Sequence, residues 1–339
     1  MKITKKILGQ LEGAYATSIM EVDGVTNYII ATERQGPCFA FNSENGEKKT
    51  VWDGPGGTMN IVPVQGRENE FFATQQFLPT FQAKECILVH GVYNNGEWTV
   101  TSVMNVPYLH RFDIFSLNNK LCFIGCTLAQ DKESKEDWSK PGKVYIGELS
   151  EDLNKPFEIK PIIEGITKNH GFSRGTWKGK DAYFASGVEG VYVIYLPSDG
   201  SIEFKTEHII DHEVSDMAAY DLDGDGIEEL AVIQPFHGNK GIIYKNIDGK
   251  LVQIYEHEYE FGHVVWGGKI MKKPAFIIGG RKGSRELICY QLEQGEIKEF
   301  LIDNTGGPSN IAVINTEKAD IVLAANREIG EMALYEITE

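Results

Sequence analysis

Four histidines, His110, His170, His237 and His263, are the residues here best suited to chemistry. Neutral imidazoles brought from separate segments can share one divalent ion, and a nitrogen-rich set favours a transition metal such as Zn2+ or Mn2+ over calcium. Gln234 can add an oxygen to that set. Arg281 and Arg327 are suited to stabilising an enolate, with His170, His263 or Tyr108 as the base; the residue types do not select among the three. For a hydroxyl-rich ligand, Arg34, Gln76, Asn60 and Asn310 offer polar contacts, while Trp177, Trp266 and Phe236 offer flat faces on which a sugar ring can stack. The same aromatics also suit packing between repeats.

A second group is more compact. In Asp221-Leu-Asp223-Gly-Asp225-Gly-Ile-Glu-Glu229, carboxylates alternate with glycines, so a short loop can wrap a hard cation and Glu229 can close the shell. Flanking strands rather than helices separate it from an EF-hand. We expect Ca2+ held by Asp221, Asp223, Asp225 and Glu229 as a structural staple, with a catalytic role the lesser alternative.

The elements that must position these groups are strands. Apolar runs such as Tyr28-Ile-Ile-Ala31, Phe71-Phe-Ala-Thr74, Leu230-Ala-Val-Ile233 and Ile321-Val-Leu-Ala324 recur, each after a shorter strand and a tight polar turn. Seven copies of this hairpin are present. Aligning the residues that open them gives Tyr15, Asn60, His110, His170, Asp216, His263 and Asn310, at intervals of 45, 50, 60, 46, 47 and 47 residues. That spacing fits four-stranded propeller blades. The expected fold is an all-β, seven-bladed β-propeller forming one domain over residues 1–339, with blades starting near 15, 60, 110, 170, 216, 263 and 310. The long third interval holds a charged insertion, 130–142, between its second and third strands. The seventh copy has only three strands, so the orphan strand 3–8 should complete it and close the ring. The seven openings converge on the axis, and a His/Asp/Asn-rich set there is costly to bury without a purpose. The acidic turn belongs to the opposite face.

Composition narrows the partners. A net charge of −16 disfavours nucleic acid, which needs stripes of Lys and Arg. No apolar window spans a bilayer and no signal peptide opens the chain, so a cytoplasmic protein without a membrane partner is expected. Cys38, Cys86, Cys122, Cys126 and Cys289 read as buried reduced thiols. No nucleophile elbow, Walker loop or dinucleotide fingerprint occurs.

The acidic turn resembles the A–B turns of FG-GAP and VCBS propeller repeats, which carry the DxDGDG pattern; the likeness rests on Asp221 to Glu229. Gln234-Pro-Phe-His237-Gly-Asn239 is similar to the QxxHxH metal-holding element of oligogalacturonate-lyase-like propellers, with Asn239 in place of the last histidine. The chain also resembles the propeller domain of aldos-2-ulose dehydratases. Both enzyme resemblances imply a metal-dependent lyase or dehydratase acting by β-elimination on a small saccharide, keto-sugar or uronate. A non-catalytic, calcium-stabilised propeller binding a carbohydrate or a protein is the alternative, and a two-carboxylate glycosidase drawing on Asp113, Glu189, Asp216 or Glu328 is a third.

Overall fold

Strand propensity and hairpin turns produce seven antiparallel sheets of four strands each. The computed structural model describes residues 1–78, 83–198, 201 and 203–339. The first six blades occupy residues 14–52, 61–105, 109–166, 171–210, 216–258 and 260–303, in chain order. Residues 310–338 supply three strands of the seventh, and Lys2–Gln10 supplies its outer strand. That strand runs antiparallel to Glu331–Thr338, from Lys2 opposite Thr338 to Gln10 opposite Glu331, with a bulge at Leu8, between Ile7 and Gly9. Lys5 holds the joint by placing its ammonium 2.7 Å from the Glu331 carboxylate.

The second strand of each blade is covered on both faces, which explains its unbroken apolar run. Ala16 and Ile29 of blade 1 pack on Phe71 and Val89 of blade 2, and Trp177 and Phe184 of blade 4 pack on Met217 and Val232 of blade 5. The core is thus a set of seams between neighbouring sheets rather than one central mass. All five cysteines are buried and unpaired. Among the described residues no helix is long and apolar enough to cross a membrane.

At the axis the blades are tied by side chains that reach the backbone of the next blade. Asn60 donates its amide to the Phe112 carbonyl at 2.7 Å, and Asn310 donates to the Tyr15 carbonyl at 3.0 Å. His170 Nδ1 lies 3.1 Å from the Ser215 carbonyl and His263 Nδ1 lies 2.6 Å from the Ser309 carbonyl. The expectation that Asn60 and Asn310 touch a ligand is therefore corrected: their amides are spent on holding blade 2 to blade 3 and blade 7 to blade 1.

Asn310→Ala should lower unfolding stability by about 1 kcal/mol, because it removes one buried hydrogen bond and leaves the Tyr15 carbonyl only the longer contact from the Ser309 hydroxyl at 3.3 Å. Urea denaturation followed by tryptophan fluorescence measures this, and an unchanged midpoint would contradict the tie.

Candidate functional site

The convergence of the first strands leaves a cavity of about 640 Å³ on the axis, large enough for a small sugar. His110, His170, His237 and His263 line it, together with Tyr15. His170 and His263 arrive from the openings of blades 4 and 6. His237 arrives from the loop after the second strand of blade 5, where its backbone N–H donates to Ser215 Oγ at 3.1 Å.

Hydrogen bonding fixes which nitrogens face the cavity. A carbonyl oxygen can only accept, so Nδ1 of both His170 and His263 carries the proton and each Nε2 presents a lone pair. The Tyr15 hydroxyl donates to His263 Nε2 at 3.4 Å. His170 Nε2 and His237 Nε2 lie 3.3 Å apart, and one ring nitrogen from each of His170, His237 and His263 falls within 4.8 Å of the others. Two nitrogens bound tetrahedrally to one ion at about 2.0–2.1 Å would sit about 3.3–3.4 Å apart. The His170–His237 separation matches such a pair, and His263 brings a ring nitrogen within 4.8 Å of both. His110 packs against His170 at a tilt of 37°, with ring centroids 4.5 Å apart, but stands outside this group. Its Nδ1 is buried without a partner among the described residues.

Burial keeps these rings neutral. It pushes His170 down to about 3, with Arg111 adding to the effect, and it holds His110, His237 and His263 well below the usual histidine range. Such rings suit metal binding better than proton abstraction, because an effective base has a pKa near the working pH. The same burial raises Tyr15 to about 12 and Asp216 to about 7.

The walls pair aromatic rings with cations. Phe236 packs edge-on against His170 and contacts His237, Phe261 stacks on His237, and Arg281 lies 4.8 Å above the Phe261 ring. Arg281 makes two hydrogen bonds to Glu328 Oε1 at 2.7 and 2.9 Å. Arg327 bonds to Glu33 at 2.6 Å and to the same Glu328 oxygen at 3.2 Å. Lys132, Lys135 and Lys168 complete a cationic lining that Glu33 and Glu136 only partly offset.

Several expected residues lie elsewhere. Gln234 turns its amide to His212 at 2.8 Å and accepts from the Tyr244 hydroxyl, so it adds no oxygen to the imidazoles. Tyr108 is fully buried outside the cavity lining, and Arg34 pairs with Glu12 at 3.4 Å on the outer surface. Gln76 is not part of the lining either. Trp177 is packed between blades 4 and 5, and Trp266 lies against the core of blades 6 and 7. None of Asp113, Glu189, Asp216 and Glu328 lines the cavity. Asp113 accepts from Tyr183, Glu189 from the Thr167 amide, and Glu328 sits between the two arginines. Sequence reasoning left out Tyr15, Glu33, Lys132, Trp138, Lys168 and Phe261 as site residues; only Tyr15 carried a signal, as the opening residue of blade 1.

The acidic turn lies at the far end of the blade 5 hairpin from Asp216 and Gln234. Asp221, Asp223 and Asp225 bring carboxylate oxygens within 4.8 Å of one another. Lys245, from the third strand, places its ammonium against Asp223, 2.8 Å from Asp225 and 3.1 Å from Glu229. Burial opposes the charge on Lys245, yet the three carboxylate contacts win and raise its pKa. An entering calcium ion would have to displace this ammonium.

No family model matches the chain, and no curated protein matches it. Solved structures match it as a fold. One, assigned as a 6-phosphogluconolactonase from Bacteroides uniformis, is 14% identical with a TM-score of 0.58, covering 89% of this chain and 88% of that one. The Cps50 (Swd1) β-propeller domain of Myceliophteria thermophila is 10% identical with a TM-score of 0.63, covering 99% and 100%. The PQQ-bound aldose sugar dehydrogenase of Streptomyces coelicolor is 13% identical with a TM-score of 0.50, covering 100% and 99%. These likenesses establish the propeller and carry no residue across.

Lys245→Gln should tighten calcium binding at the acidic turn by tenfold or more, since the competing charge is gone while all four carboxylates remain. Calorimetric titration of both proteins measures it; equal affinities would show that Lys245 does not compete.

Proposed function

We propose that this protein is a metal-dependent lyase or dehydratase that performs β-elimination on a small sugar, keto-sugar or uronate in its axial cavity. The observation that carries the reading is the convergence of His170, His237 and His263, with Nδ1 of His170 and of His263 held by backbone carbonyls so that each Nε2 is left as an acceptor. These residues would hold a divalent transition metal, which supplies Lewis-acid polarisation of a carbonyl or carboxylate oxygen. Arg281 sits beside the imidazoles, where its charge favours an enolate as the C–H bond breaks. Phe236 and Phe261 exclude water and offer faces to a sugar ring. With His170 and His263 committed as ligands, the proton leaving carbon would pass to a carboxylate of the lining, Glu33 or Glu136, and on to the departing β-oxygen, which leaves as water or as an alcohol.

The names of two structural neighbours, a 6-phosphogluconolactonase and an aldose sugar dehydrogenase, agree with a carbohydrate substrate at the level of fold. Five buried free thiols suit the reducing cytoplasm. In the acidic turn, calcium remains a structural proposal, bound at the expense of Lys245.

Protein purified without chelators should carry close to one equivalent of a transition metal by elemental analysis. His170→Ala, His237→Ala and His263→Ala should each lower that content by tenfold or more, whereas His110→Ala should retain it. Incubation with keto-sugars and uronates should yield an unsaturated product absorbing in the ultraviolet. A folded, metal-free wild type that binds a saccharide unchanged would make this a binding propeller, and acid release without ultraviolet absorbance would point to lactone hydrolysis.

A further inference from the structure

The blade 3 insertion, running from 128 to 141 between strands Lys120–Thr127 and Gly142–Glu148, folds over the cavity mouth as a well-braced flap. Ala129 bridges to Pro141, and the Gln130 amide N–H donates to the Lys140 carbonyl at 3.0 Å. Asp131 pairs with Lys140 and with Lys84 of blade 2, both at 2.7 Å. Asp137 accepts from the backbone N–H groups of Glu133 and Ser139.

This bracing delivers Lys132 inward. The residue is 1% exposed, its Nζ has no hydrogen-bond partner among the described residues, and it lines the cavity. The ammonium lies 3.0 Å above the Trp138 ring centroid, and Trp138 packs edge-on against Phe236, which touches His170. The lysine and the imidazoles therefore share one space across an aromatic wall. Three other cations of the lining have carboxylates: Arg281 has Glu328, Arg327 has Glu33, and Lys168 has Glu213 at 2.8 Å; Lys135 has no ion pair among the described residues, but it is not buried. Burial lowers Lys132 to about 8, so it stays charged at neutral pH. Asp137 and Glu136 act on this charge only at a distance, without an ion pair or hydrogen bond, and the face of one indole compensates only in part for its burial.

We infer that Lys132 anchors an oxyanion, the carboxylate or phosphate of a small ligand that extends from the blade 3 flap toward His170, His237 and His263. The missing counter-ion of Lys132 is then the ligand itself. The inference deepens the reading above and rests on it for the far end of the ligand, where the hydroxyl or carbonyl group meets the imidazoles. The anion contact stands on the flap alone. It selects acidic over neutral sugars, in a cavity whose charge opposes that of the whole molecule.

Titration calorimetry at neutral pH with D-glucuronate, inorganic phosphate and neutral glucose tests it. Wild type should bind at least one of the two anions at least tenfold more tightly than glucose, and whichever binds tighter identifies the anionic group. Lys132→Met and Lys132→Gln should each weaken that binding tenfold or more, with unchanged metal content and an equal or higher melting temperature, because a buried unpaired charge has been removed. His237→Ala should lose metal yet retain the anion contact, which separates failure of the metal centre from failure of this site. The inference is overturned if wild type binds neither anion, or if both Lys132 variants bind them as wild type does.

Discussion

A histidine that donates Nδ1–H to the carbonyl of the next blade does two things with one hydrogen bond. It fastens blade 4 to blade 5 through His170 and Ser215, and blade 6 to blade 7 through His263 and Ser309. It also sets the tautomer, leaving each Nε2 unprotonated and aimed at the axis. The same positions in blades 2 and 7 carry asparagines, which fasten the ring but present no lone pair to the cavity. Assembly of the ring and definition of the site are thus one event. Loss of an inter-blade tie would free an imidazole to rotate or change tautomer, so the site's precision is drawn from the hydrogen bonds that join the blades.

The electrostatic layout follows from where that ring places its charges. The molecule carries a net charge of −16, yet the cavity gathers Lys132, Lys135, Lys168, Arg281 and Arg327; Arg281, Arg327 and Lys168 are paired with Glu328, Glu33 and Glu213, which leaves Lys132 as the buried cation without a direct partner among the described residues. Anions approaching the acidic exterior are repelled at long range and attracted only near the mouth. Screening at physiological salt confines both effects to roughly 8 Å, so the local cationic lining governs what enters. The buried imidazoles must remain neutral in such surroundings, and burial together with Arg111 and Arg281 pushes them that way.

The ring was legible in the sequence because its signals are local: seven period-2 runs, seven turns and one orphan strand. The histidines of the site were legible because three of them open first strands and so inherit their position from the repeat. Failures came where direction within an element mattered. Trp177 ends the strand that begins at Gly171, so it lies about 20 Å along that strand from the end where His170 enters the cavity. Gln234, one step before the loop that carries His237, projects to His212 rather than inward. Lys132 was hidden in a charged insertion whose composition reads as solvent-facing. Its burial depends on Trp138 and on the two ion pairs of Asp131, contacts that no periodicity announces.

The closing strand has a consequence in time. Lys2–Gln10 leaves the ribosome ahead of the blades, and its partner Glu331–Thr338 emerges about 320 residues later. At 5–20 residues per second, the first strand waits roughly 15–65 s for its place in the sheet. An unpaired strand is a template for stray association, and lysines are an effective guard against it. Lys2, Lys5 and Lys6 stand on this strand, so the segment that must wait longest carries charge that keeps it apart from other nascent chains until blade 7 exists to receive it.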